Sequence, residues 1–273
     1  MNLGIPLWLL ALASQSATPE PPHAWTLTHP GSEIVAETTL QTGQRLIARC
    51  VSLTRTNPDG FERKFQQVYL DIHGLTGMEN HLNAIRPGEA PDRLFLGEWL
   101  GGADAGQYSA LSPARTVRLM RATGRFDIEF RRASVGPDEP AGASIAADLP
   151  ADRTALDQVL EGCDEPLQSA RDFPTPEVRQ AAMALVGRVP RWARYPMPEY
   201  PERALMNDIP GGLVAMSCIH KADGDFADCI VTFEQPLGQG FGYAGLVAAR
   251  RGSVVEPLEG AHSVWLYRFI LPD

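Results

Sequence analysis

Four cysteines, at positions 50, 163, 218 and 229 of the 273-residue chain, are the residues with the most chemistry to offer. Thiols can hold zinc, attack as nucleophiles or pair with one another. Cys218 and Cys229 flank Asp223-Gly224, the dipeptide that best supplies the two positive-φ positions of a tight hairpin turn, and β-prone runs lie on both sides. Counting outward from that turn pairs Ala222 with Asp225, His220 with Ala227 and Cys218 with Cys229. Directly opposed residues that exchange both ladder bonds have Cα atoms about 5.5 Å apart, a spacing that suits a disulfide. Cys50 and Cys163 are then left to pair with each other, closing a long loop that stabilises by about 2–4 kcal/mol. Zinc is the competing reading, because alternation places Cys218, His220 and Cys229 on one face of the hairpin. Only three ligands are visible and none has the CxxC spacing of a closed structural site, so two disulfides and no metal are expected.

Other patterns come close to a known chemistry and stop short. Gly240-Phe241-Gly242-Tyr243-Ala244-Gly245 follows a strand and opens a helix, as a dinucleotide fingerprint does. That fold needs parallel strands around the motif, whereas here the preceding strand belongs to a hairpin and Pro236 interrupts the approach. The glycines are better read as permitting close packing at a helix start. Asp223, Asp225 and Asp228 suggest calcium, but a loop counted from Asp223 has Asp228 where the EF-hand requires glycine. His23, His29, His73, His81, His220 and His262 are scattered. No HExxH, GxSxG or P-loop pattern occurs. No catalytic residue and no cofactor are expected.

The elements that carry these residues fall into two groups. In residues 24–164, β-prone runs at 25–27, 45–53, 65–72, 93–99 and 125–130 are separated by Gly, Pro, Asn and Asp turns. Helices are expected over 113–122, after Ser112 and with Pro113 first, and over 152–161, with Leu156, Val159 and Leu160 on one face. These make an antiparallel β-rich domain with two helices. Residues 165–197 read as a proline-punctuated linker holding one short helix, 177–186. Residues 198–273 read as helix, strand, strand, helix, strand, a three-stranded antiparallel sheet in an α+β unit. In the last strand Trp265, Tyr267 and Phe269 share one face, the expected core against the second helix.

Composition narrows the partners. A formal net charge of −9 argues against nucleic acid and anionic lipid. Residues 1–17, MNLGIPLWLLALASQSA, read as a signal peptide: the apolar part is about half the ~20 residues that span a bilayer, and Ala11-Leu12-Ala13 has the small-x-small form of a cleavage site. A mature chain without a membrane span, periplasmic or secreted, is the expectation, and an even number of cysteines suits that compartment.

The order Pro198-Glu-Tyr200-Pro201-Glu-Arg-Ala204, then Gly211-Gly212, Asp223-Gly224, Gly240-Phe241-Gly242 and a closing strand ending in Phe269 resembles the C-terminal domain of TonB-type energy transducers. The resemblance covers residues 198–273 alone and does not extend to the first domain. It implies a periplasmic module that adds an extended peptide of an outer-membrane receptor to its sheet edge. By position, that edge is the last strand: Ser263, Val264, Trp265, Leu266, Tyr267, Arg268, Phe269 and Ile270. The cysteines flanking the hairpin look like a disulfide-bearing variant of exported relatives. Two family features are missing, the N-terminal membrane anchor and the long proline-rich spacer. The expectation is therefore an envelope protein acting by strand addition to a protein partner, linked to TonB-dependent transport without its own anchor. A homodimer through the last strand, and a ligand-binding or enzymatic first domain with the second for docking, are the alternatives.

Overall fold

The computed structural model describes residues 24–56, 61–75, 99–101, 106–129, 144–169, 172, 191–257, 259–260 and 262–271. The signal peptide expected over 1–17 and the helix expected over 177–186 lie outside them, as does the strand expected over 93–99 apart from Trp99.

The chain is α+β, strand-rich, with antiparallel sheets. Its first sheet has the order β1 (Thr26–Thr28), β2 (Glu33–Thr39), β3 (Arg45–Thr56), β4 (Glu62–His73), β6 (Tyr108–Ala110), β5 (Trp99–Gly101). Alternation along the strands turns Ala36, Leu46, Ala48, Cys50, Val68, Leu70 and Ile72 to one face. That face is covered by α1 (Pro113–Thr123) and α2 (Thr154–Gly162), which bring Val117, Met120, Leu156 and Leu160 to it. Ser112 makes no side-chain cap, yet α1 starts here because Pro113 presets φ and the Ser112 carbonyl takes the Thr116 N–H. It stops at Gly124, whose φ of 72° lets its N–H reach the Met120 carbonyl. The ribbon β7 (Arg125–Glu129) with β8 (Ser144–Asp148) completes this core through Phe126, Ile128 and Ile145.

Cys163, just past the end of α2, is bonded to Cys50 in β3, tying helix to strand across 113 residues of chain. The segment after α2 is fastened again. Asp172 is buried and ion-paired with Arg118 of α1, which also donates to Glu165 at 2.9 Å. Removing either partner would strand a buried charge.

In the second unit α3 (Glu202–Met206) leads into β10 (Gly211–His220), β11 (Phe226–Gln235), α4 (Phe241–Arg251) and β13 (His262–Ile270), with the sheet order β11-β10-β13. A two-stranded ribbon joins β9 (Trp192–Arg194) to β12 (Ser253–Val254). One face of the sheet packs under α4 through Val214, Met216, Cys218, Trp265, Tyr267 and Phe269. Gly245 allows that approach, since a Cβ there would stand 2.7 Å from the Met216 sulfur.

The opposite face meets the first unit. Leu111, Ala215 and Phe233 form a buried cluster with Tyr69, Leu213 and Leu266 around it. The rings of Tyr69 and Phe233 meet edge-on at 5.6 Å.

Candidate docking site

The hairpin closes differently from the two-residue turn expected at Asp223-Gly224. Lys221 N–H bonds to the Asp225 carbonyl and Gly224 N–H to that of Lys221, so the loop is longer and only Gly224, at φ 87°, needs glycine's freedom. Asp223 stays at negative φ because its carboxylate accepts the Asp225 N–H at 3.0 Å. That bond, together with Lys221, holds the Asp223 carboxyl below its ordinary range. His220 therefore faces Phe226, not Ala227, and Ala227 faces Ile219; the Ala222–Asp225 pair does not form. A bulge at Asp228, with φ 46°, restores the missing residue. Cys229 arrives beside Cys218 at a Cα separation of 4.1 Å and the two are bonded. The sulfurs being joined, the zinc reading loses its thiolates. The three aspartates serve the turn: Asp223 pairs with Lys221, Asp225 with Arg194, and Asp228 makes the bulge.

At the other end of the sheet the residues of the sequence motif come together. Tyr200 meets Phe241 edge-on at 5.5 Å and Phe269 at 6.2 Å, and its hydroxyl donates to the Ile209 carbonyl. Ala204 is fully buried beneath them. A Cβ on Gly211 would stand 2.8 Å from the Phe269 carbonyl oxygen, and one on Gly240 would touch Pro201. Asp223-Gly224 lies at the far end, near β12, where the Gly224 carbonyl takes the Val254 N–H.

The glycine-rich start of α4 already holds an anion. The Glu234 carboxylate accepts the Gly240 N–H at 3.2 Å and lies among the N–H groups of Gln239, Phe241 and Gly242. The donors a phosphate would need are occupied by the protein itself. Burial pushes the Glu234 carboxyl up, and those N–H groups pull it partly back.

The two margins of this sheet differ. On β11 the register slips at two places, and the outward backbone of Glu234 is occupied. Gln67 of β4 accepts the Glu234 N–H at 2.8 Å and donates to its carbonyl at 3.1 Å, as a neighbouring strand would. The Tyr69 hydroxyl adds a bond to the same carbonyl, and the Thr232 hydroxyl donates to the Leu111 carbonyl at 2.7 Å. On β13 nine consecutive residues pair with β10 in unbroken register, and among the described residues no other strand pairs with it.

The bonding pattern also shows which β13 groups face outward. Because Glu234 spends its N–H and carbonyl on Gln67, Val214 opposite it must turn its own toward Tyr267. Leu271 N–H bonds to the Pro210 carbonyl, which gives the same parity. Val264, Leu266, Arg268 and Ile270 therefore point N–H and C=O away from the sheet. Arg268 is exposed and Ile270 is 72% exposed.

On the first unit's outer sheet face a second polar cluster forms. The Ser109 hydroxyl donates to the buried Asp71 carboxylate, Arg49 lies 3.4 Å from the same group, and its guanidinium stacks 5.0 Å over the Tyr69 ring. Burial pushes the Tyr69 phenol up to about 12. His73 and His220 both lie in strands, the latter with Nε2 2.8 Å from Ser263 Oγ. Sequence reasoning missed Gln67 and Glu234. A Gln in a strand and a Glu two residues before a proline give no signal until the fold brings them together.

Comparison with models of known protein families and with characterised proteins finds no match to this chain. What stands is an α+β protein with two disulfides and, among the described residues, no helix long and apolar enough to cross a membrane.

Proposed function

We propose that the second unit binds an extended segment of another polypeptide as an added strand along β13. The observation that carries this is the difference between its margins, one clasped by Gln67 and the other presenting nine residues in straight register. An unpaired row of backbone donors and acceptors favours pairing with a further chain, and folded proteins usually blunt such a row. The resemblance of residues 198–273 to TonB-type C-terminal domains points to the same margin and to a partner in the bacterial envelope, with the peptide of an outer-membrane receptor as the model. The disulfides suit an oxidising compartment, and the N-terminal sequence suits export to the periplasm. A binding role without catalysis accounts for the cluster on the first unit, where Asp71, Ser109 and Arg49 hold one another.

Arg268→Pro tests this. Proline removes an outward N–H, which an edge strand tolerates, and the fold should persist. Partners captured from a periplasmic extract by the wild-type chain should be lost with the variant, and their binding should slow amide exchange at Leu266 and Arg268 in the wild type. Capture undiminished by Arg268→Pro, at unchanged thermal stability, would overturn the proposal.

A further inference from the structure

We infer that the segment docked along β13 carries a hydrogen-bond-accepting side chain (amide, carboxylate or hydroxyl) opposite Tyr267, and that the Tyr267 hydroxyl selects it. The inference rests on the strand-addition reading above and adds the partner's chemistry to it.

Trp265 and Tyr267 are 9% and 8% exposed, yet the indole N–H of the one and the hydroxyl of the other have no hydrogen-bond partner among the described residues. Buried polar groups are nearly always paired, so two orphans on one face of one strand call for a reason. Other tyrosines of the molecule follow the rule. Tyr200 donates to the Ile209 carbonyl and Tyr69 to that of Glu234. Buried side-chain atoms without a partner occur elsewhere too, at Trp25 and Gln44 among others; Tyr267 is the one tyrosine among them, and it lies on the strand whose margin is unpaired.

The pairing pattern gives the geometry. Tyr267 turns its backbone groups toward Val214, so an antiparallel newcomer forms a non-hydrogen-bonded pair with it. In such pairs the Cα atoms are about 4.5 Å apart and the side chains lie on one face in close contact. The newcomer's residue at that level therefore enters beside Tyr267 on the α4 side of the sheet. Burial raises the Tyr267 phenol above its ordinary range, so it stays protonated and acts as a donor. Its neighbour Tyr195, 62% exposed and resting edge-on against Trp192 at 5.5 Å, is a ring at the surface that can yield space to the entering side chain. A site that offers a buried hydroxyl discriminates against an apolar occupant, because that occupant leaves the donor unpaired.

Panning a display library of random decapeptides on the full chain supplies the probe, and the enriched consensus peptide is then synthesised. Its sequence should place an acceptor side chain at one fixed position. Tyr267→Phe should weaken that peptide about tenfold, a step of one hydrogen bond. Replacing the acceptor by leucine should cost the same in the wild type and nothing further in Tyr267→Phe. Because it removes only an unpartnered oxygen, Tyr267→Phe should not lower the Tm; a lower Tm would show that the hydroxyl already has a partner, and would overturn the inference. If Arg268→Pro abolishes binding while Tyr267→Phe leaves it unchanged, docking stands and the selection falls. If the peptide ignores Arg268→Pro, or no peptide is enriched, the docking reading falls and the selection falls with it.

Discussion

The two margins of the second sheet belong to strands of similar length, β11 with ten residues and β13 with nine, and the molecule treats them in opposite ways. β11 is broken by two register slips, bonded to its neighbour through Cys229 and clasped from outside by Gln67. Bulges and covering groups are the usual means of protecting an edge from unwanted pairing. β13 has neither among the described residues. The contrast shows that edge protection here is local: among the described residues, the covering side chains lie along β11.

The sharpest way to break the comparison is a pair of neighbouring prolines. Tyr267→Pro removes an inward ladder donor and a buried aromatic ring, and should cost about 4 kcal/mol or more in urea-induced unfolding. Arg268→Pro, one residue on, should change stability by less than about 1 kcal/mol. Equal costs would mean that the parity assigned to β13 is wrong.

Next in size is the bond within the protected side. Replacing Cys218 and Cys229 together by serine opens an 11-residue loop and should lower stability by about 3 kcal/mol on the chain-entropy account. Amide exchange should rise first in β11. Gln67→Ala then uncovers the β11 margin directly. It leaves the Glu234 N–H without its partner and the carbonyl with the Tyr69 hydroxyl alone, and a loss of roughly 1–3 kcal/mol is expected in the unfolding free energy. If a second edge truly becomes available, the variant should also gain a tendency to associate, seen by light scattering.

The smallest effect concerns pH. Burial raises the Glu234 carboxyl above its ordinary value of 4.5, so the folded chain keeps this proton to a higher pH than the unfolded chain does. The group's contribution is thus full below pH 4.5 and is lost as the pH rises through the folded-state value. Glu234→Gln keeps an acceptor for the Gly240 N–H without the buried charge. Its Tm should exceed the wild type's at pH 7–8, and the two should converge toward pH 4.

Much of this could be read in advance wherever local rules govern. Gly124 caps α1 as expected, α2 runs one residue further to end on Gly162, Pro113 opens α1, and the second unit runs helix, strand, strand, helix, strand with the short β12, which was not expected, added before the last strand. Strand β2, EIVAETT, escaped because its buried positions are the small residues Ala36 and Thr38, which give alternation little hydrophobic contrast. The two ends of the proline-rich stretch also hold more structure than a spacer. Asp172 is ion-paired with Arg118, and Trp192 lies edge-on to Trp265 at 5.4 Å. Neither contact has a periodic pattern to announce it.

The hairpin separates the two kinds of information best. Local residue chemistry was enough to place a reversal at Asp223-Gly224 and to bring Cys218 and Cys229 together, since turn formers and β-prone flanks act over a few residues. It could not supply the bulge at Asp228 that corrects a longer loop, because a register is chosen by burial on both faces at once. Still less could it show that Gln67, 167 residues away, closes the β11 margin while, among the described residues, no strand pairs with the outer side of β13. That choice arises from long-range packing, where the energy of a contact depends on which surfaces the rest of the chain has already covered.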